Sequence, residues 1–240
     1  MKYEIEPIGL LKSLSIYVVF SLALYFSAYG YLPYLINKLD VNPVLAWHIS
    51  GGVVFIMLFV SAIAAYNGEV KSGLNQSILE RLRLRKLTTT DLKWTGTGLL
   101  VLFITSGIVF YLEKKFFPGF STNPAFMEMP AIKSSEWWLL ISWAVMFFFN
   151  IAGEEIFWRG YLFPKQVKKF GKNAWILNSA GWLLFHIAFG WQMMLMLLPT
   201  VIIIPYIMQK RDNTTIGIVL HGTFNGLTYL AITLGGMING

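Results

Sequence analysis

Apolar stretches of roughly 20 residues alternate with short polar segments along the whole chain, and roughly 20 is the number a helix needs to cross a bilayer core. The first runs from about Leu14 to Leu35 and the second from Val44 to Tyr66. The first is too long for a signal-peptide core and lacks a strongly basic start, so it reads as a retained span. A third covers Trp94 to Leu112, and a fourth starts near Trp137 and runs into Gly153. Spans five to seven follow closely, as Ala174 to Gly190, Trp191 to Gln209 and Thr214 to Gly236. Pro199 and Pro205 are expected to kink the sixth. Between spans two and three, Ile78, Leu79, Arg81, Leu82, Arg83, Arg85 and Lys86 suggest a short helix lying in the membrane interface. Thr90 and Asp91 are plausible starters for the helix of span three. Pro118, Gly119, Pro124 and Pro130 mark residues 113–134 as loop. The pattern predicts an all-α, polytopic bundle of about seven transmembrane helices plus one short interfacial helix. Residues 1–240 read as a single integral membrane domain.

Charge then orients the spans. With the N-terminus cytoplasmic, only Lys38, Lys114, Lys115 and Lys133 of the 19 Lys and Arg fall outside. The positive-inside rule therefore predicts a multi-pass protein of the cell membrane with a cytoplasmic N-terminus and an outer C-terminus. The net charge of +7 is mostly a topology signal, so no nucleic-acid partner is expected. Lys165, Lys168, Lys169 and Lys172 also suit contact with anionic lipid. Trp94, Trp137, Trp138 and Trp191 read as interfacial anchors, and His48, at the start of span two, as interfacial too.

Composition agrees. Charged residues make up 13% of the chain and hydrophobic ones 56%, whereas soluble domains carry about 25% charged. Soluble enzymes and disordered tails are excluded as leading readings. With no Cys, disulfides, thiolate nucleophiles and Cys metal ligands are excluded as well.

Charges within membrane segments are expensive, so each is a functional suspect. No span carries an Asp, there is no His-Glu-x-x-His, and there is no Gly-x-Ser-Gly. Two-aspartate, zincin-type and rhomboid-like proteases are thereby disfavoured. The polar groups that remain are concentrated. Glu154 and Glu155 follow an apolar run from Phe147 through Asn150 to Gly153, and Arg159 lies four residues past Glu155 on the same helix face. Trp182 and His186 are four apart in span five, and His221 and Asn225 four apart in span seven. At 1.5 Å per residue, Glu154 lies roughly 26 Å from Trp137, His186 roughly 18 Å from Ala174, and His221 roughly 10 Å from Thr214. These depths let the three helices converge on one site, as bundle interiors do.

A carboxyl group in a low-dielectric bundle has its charged form disfavoured, which suits a general base, and a histidine can share the water it activates. A second histidine with an amide can donate to a developing oxyanion. The set suits amide hydrolysis. Glu154, His186 and His221 are equally candidate ligands for a divalent metal such as zinc, and spacing leaves the two cases open. Each motif alone also has an ordinary meaning: a salt-bridged helix end, a packing histidine, an interhelical polar clamp. A proton or solute transporter is disfavoured because acids are not spread over several spans.

The ordered triplet Glu154-Glu155-x-x-x-Arg159, Trp182-x-x-x-His186 and His221-x-x-x-Asn225 resembles the three motifs of the CPBP family, which includes CAAX prenyl endopeptidases and bacterial Abi-type intramembrane proteases. The resemblance covers residues 137–236. It implies an intramembrane endopeptidase in which Glu154 activates a water with His186 while His221 and Asn225 stabilise the oxyanion. Glu155 and Arg159 would form a supporting pair. Trp182 stands where the family usually has Phe, so a bulky aromatic is kept. The implied partners are membrane lipid and a membrane-associated peptide or protein, either a prenylated CAAX tail or a signalling or bacteriocin-related peptide. The chain's short length suits the bacterial branch. The alternative is a non-catalytic membrane scaffold or immunity protein of the same family.

Overall fold

The computed structural model describes residues 4–119, 121, 124, 126 and 132–239, with the side chains of Ser134 and of 231–239 left aside. The described residues form helices and no strand. Helix α1 (Leu10–Phe26) continues through a π-helical turn (Ser27–Tyr31) into α2 (Leu32–Leu39). Then come α3 (Pro43–Lys71), the single turn α4 (Ile78–Arg81) and α5 (Thr89–Phe116). Helix α6 (Leu139–Glu154) passes through a π-helical segment (Glu155–Leu162) into α7 (Phe163–Phe170). Gly171, at φ 56°, turns the chain into α8 (Ala174–Phe185). A 3₁₀ turn (Ile187–Phe189), α9 (Gly190–Arg211) and α10 (Thr214–Asn239) complete it.

Among the described residues, five stretches are long and apolar enough to cross a membrane: Leu10–Leu39, Pro43–Lys71, Thr89–Phe116, Leu139–Phe185 and Ile187–Arg211. The chain is a polytopic helical bundle. Several boundaries differ from the hydropathy reading, for local reasons. The Asn42 side chain accepts from the backbone of Val44 and Leu45, so α3 starts at Pro43. The start of α5 is capped by Thr88, with Asp91 closing a capping box from the third position, rather than by Thr90 or Asp91 themselves. Helix α5 runs to Phe116, into the expected loop, and Pro130 lies outside the described residues. Helix α9 continues through both Pro199 and Pro205. The fifth span is α-helical for only 12 residues: it stops at Phe185, passes through the 3₁₀ turn and enters α9 at Gly190, whose φ is 78°.

The expected interfacial helix is present but docked on the protein. Arg81 and Leu82 are each 1% exposed, while Leu79 faces outward. Its start is a capping box in which the Ser77 backbone and hydroxyl bonds hold the Glu80 carboxyl below its ordinary pKa. His48 likewise faces protein. On α3, it is buried facing α6, with Nδ1 2.8 Å from the Ser142 hydroxyl. Trp137, Trp138 and Trp191 are exposed, as anchors should be, and Trp94 is half-buried against the core.

In lipid there is little hydrophobic drive between helices, so small residues and close packing hold bundles together. Helix α3 packs along α6, α8 against α1 and α9, and α5 against α9 and α10. A Cβ on Gly153 would overlap the carbonyl of Phe55, and one on Gly181 would overlap the Tyr17 ring. Gly181→Val is therefore expected to destabilise the bundle by about 1–3 kcal/mol or more. A thermal unfolding midpoint in detergent equal to wild type would refute this close approach of α1 and α8.

The basic segments gather at one end of the bundle. There Arg81 pairs with Glu69, Lys165 with Glu69, Arg83 and Arg85 with Asp212, and Arg211 with Asp91. Lys165 is thus tied into this network rather than free for lipid.

Candidate active site

Three helical segments bring the polar motifs to one place. Helix α6 and its π-helical continuation carry Asn150, Glu154, Glu155 and Arg159. Helix α8 carries Trp182 and ends at His186. Helix α10 carries His221 and Asn225. Glu154, Glu155 and Arg159 are fully buried, and Trp182, His186 and His221 are 1%, 6% and 3% exposed. Asn150 and Asn225 are half-buried. The depths counted from the sequence thus do converge.

Two clusters share the site. In the first, both oxygens of Glu154 are engaged. Asn150 Nδ2 donates to Oε1 at 2.7 Å, and the Trp182 indole N–H donates to Oε2. His186 Nε2 lies 3.9 Å from the same Oε2. His186 Nδ1 is 2.8 Å from the Trp182 carbonyl, which can only accept, so Nδ1 carries the proton. In the neutral ring Nε2 then offers a lone pair towards Glu154.

In the second cluster, Glu155 Oε1 pairs with Arg159 Nη1 at 3.2 Å and accepts from His221 Nδ1 at 3.0 Å. His221 Nε2 lies 2.9 Å from Asn225 Nδ2, so the amide donates and the ring accepts. Gly217 lies against Glu155, where a Cβ would collide with Oε2. The Arg159 guanidinium lies 3.4 Å from the Trp182 ring centroid, which stacks a buried cation on an indole face. Trp182 thus joins the clusters, bonding Glu154, covering Arg159 and meeting the His221 ring at 5.2 Å.

The backbone beneath is built to match. A π-helical turn leaves carbonyls without their usual partners, and such turns cluster at functional sites. Arg81 Nη1 donates to Gly160 O at 3.2 Å, and Asn178 Nδ2 to Trp158 O at 3.2 Å. Tyr17 stacks on Trp158 at 4.6 Å and accepts from Asn178 at 2.9 Å.

The structure therefore pairs Glu154 with His186, and His221 with Asn225 and Glu155. The candidate metal set of Glu154, His186 and His221 does not fit a cation in this arrangement. Both His221 ring nitrogens are committed to Glu155 and Asn225, and no group of three or more His, Asp or Glu among the described residues is placed to hold a metal. Sequence reasoning missed Asn150, Tyr17 and Arg81. Asn150 had a usable signal, since it precedes Glu154 by the same four residues that link the other motif pairs.

Residues 136–227 match the family model Rce1-like, described as type II CAAX prenyl endopeptidase Rce1-like. No curated protein and no solved structure matches the chain.

Proposed function

We infer from the match of residues 136–227 to the Rce1-like family model that the chain is a CAAX-type intramembrane protease, and that it cleaves a membrane-associated peptide by Glu154-dependent attack of water. The observation that carries this reading is the 3.9 Å separation of Glu154 Oε2 and His186 Nε2, both acceptors. One water can donate a hydrogen to each and keep a lone pair for the scissile carbonyl. Glu154 takes the proton as the water oxygen bonds to the carbonyl carbon. It returns that proton to the leaving amine as the tetrahedral intermediate collapses.

The developing oxyanion needs donors already in position. Asn225 has two amide hydrogens, and one of them goes to His221. The other is the donor we assign to the oxyanion. Glu155 fixes the His221 tautomer, and His221 in turn fixes the amide. Arg159 offsets part of the charge of the paired glutamates. No step here requires a metal, so a chelator is expected to leave cleavage unchanged. A loss restored by added zinc would overturn that expectation.

The basic end of the bundle, with Arg81, Arg83, Arg85, Lys165 and Arg211, suits the cytoplasmic side. The substrate is then a cytoplasmic tail or a peptide reached from that side, of which a prenylated CAAX tail is the leading class. The test compares peptide termini in membrane fractions from cells carrying wild type, Glu154→Ala or no copy. Termini found only with wild type are expected, and they identify the substrate. Wild type and Glu154→Ala agreeing with each other while differing from the null would instead establish a binding role.

A further inference from the structure

The Glu154 carboxylate is held from both sides, and the two donors differ in where they face. The Trp182 N–H approaches Oε2 from the interior, since Trp182 is 1% exposed. Asn150 approaches Oε1 from one turn earlier on α6 and is itself only half-buried. Its side-chain carbonyl, Oδ1, has no hydrogen-bond partner among the described residues. Asn225, on α10, is the other half-buried amide of the site. Everything between them is covered: Glu154, Glu155, Arg159, His186 and His221. The side of the site that carries the two amides is therefore the side from which a substrate reaches Glu154 and His186.

A peptide drawn into such a site in extended form brings backbone N–H groups that lose their water. An N–H left without an acceptor in a low-dielectric setting is costly, so an acceptor at the site's open side acts on substrate binding and on attack alike. Asn150 has the required pair of functions on one amide. One N–H of its amide goes to the base, and its C=O is free for the peptide. We propose that Asn150 is a substrate-positioning residue that accepts a backbone N–H next to the scissile bond while its amide N–H holds the carboxylate of Glu154. This assignment rests on the proteolytic reading of the site. It couples the geometry of the base to the presence of substrate: a peptide bonded to Oδ1 steadies the same planar amide that orients Oε1.

The probe is a quenched-fluorophore peptide ending in a farnesylated Cys-aliphatic-aliphatic-X tail, with the full-length protein in lipid nanodiscs. The peptide is also made with N-methyl groups in turn at the residues flanking the cut, which removes one N–H at a time. With wild type, one N-methyl position is expected to lower kcat/KM by about tenfold to a hundredfold, the scale of one well-placed hydrogen bond to a polar group. Asn150→Leu is expected to lower kcat and raise KM on the plain peptide. At that same N-methyl position it should show no further loss.

Equal factors lost by wild type and Asn150→Leu at every N-methyl position would overturn the proposal, because a purely structural role predicts additivity. Wild-type kinetics in Asn150→Leu would overturn it too. Asn150→Ala, measured identically, serves if the Leu variant fails to fold. Absence of any Glu154-dependent cleavage by wild type sinks the proteolytic reading and this assignment with it. Cleavage that depends on Glu154 but not on Asn150 removes only the latter.

Discussion

Purified Glu154→Gln is expected to bind the farnesylated probe peptide as wild type does and to cleave it about 10²- to 10⁴-fold more slowly, the usual contribution of a general base. The substitution keeps the shape of the side chain and removes its ability to take a proton. Fold should survive it. The Gln carbonyl can still accept from one of the two donors now on the carboxylate, and only the other faces an amide N–H₂. Some stability is lost there, because a buried donor without its acceptor costs about 1–3 kcal/mol. The measurements are kcat on the probe peptide, its dissociation constant, and the unfolding midpoint in one detergent. Unchanged kcat would remove Glu154 from the chemistry. A matched loss of binding and rate would mean that the carboxylate holds substrate rather than water.

The second large effect is expected at a residue outside the motifs. Arg81→Met should destabilise the protein by about 3–5 kcal/mol, the cost of breaking a buried ion pair from one side. Arg81 is 1% exposed, with Nη2 3.0 Å from Glu69 Oε1 and Nη1 on the Gly160 carbonyl. Its loss leaves Glu69 with Lys165 alone, 2.9 Å away. It also strips an acceptor in the π-helical segment of its partner. Combining Arg81→Met with Glu69→Gln should recover at least about 1 kcal/mol, since coupled partners are not additive. An additive double variant, or a single variant as stable as wild type, would show that this cluster is incidental. Activity should fall with the backbone it supports, because Glu155 and Arg159 sit on that segment.

Hydropathy alone located nearly every helix, because lipid permits few alternatives to an apolar helix of spanning length. It was weakest where protein replaces lipid. The helix that begins at Leu139 was expected to end at Gly153, where polar residues start. It continues to Phe170 with Glu155, Arg159 and Gln166 buried inside the bundle, where Glu155 pairs with Arg159 and His221 and Gln166 accepts from Asn178. Arg81 was placed in the interface for a similar reason. A basic residue beside apolar ones looks amphipathic until its partner, Glu69, is known to face it. His48 misled through position, since a histidine near a helix start carries no mark of the Ser142 across the way.

The motif residues were legible because four-residue spacing is visible in sequence. The resemblance also implied Glu154 with His186 and His221 with Asn225; the tie of His221 to Glu155 was not legible, because it depends on how helices rotate against one another. Sequence grouped His221 with Glu154 and His186 as candidate ligands. In the structure His221 bonds Glu155 and Asn225, while His186 Nε2 faces Glu154 Oε2 at 3.9 Å. The family match agrees with the motif reading over residues 136–227 and says nothing of Glu69, Arg81 or Tyr17, which come from the other half of the chain.

The widened winding of Glu155–Leu162 sets where the chain tolerates a change in length. Loops usually absorb insertions and deletions, and helices do not. A π-helical segment holds more residues per turn than its neighbours, so it acts as a stored insertion. Deleting one residue there would let the helix close to ordinary α geometry without breaking. The two flanks would then keep about the same relative orientation, because the residue removed is the one the wide turn had absorbed. Glu154 lies on one flank and Lys165, with its tie to Glu69, on the other. The slack in this molecule therefore lies inside a continuous helix, between the base and the basic end, rather than in a loop.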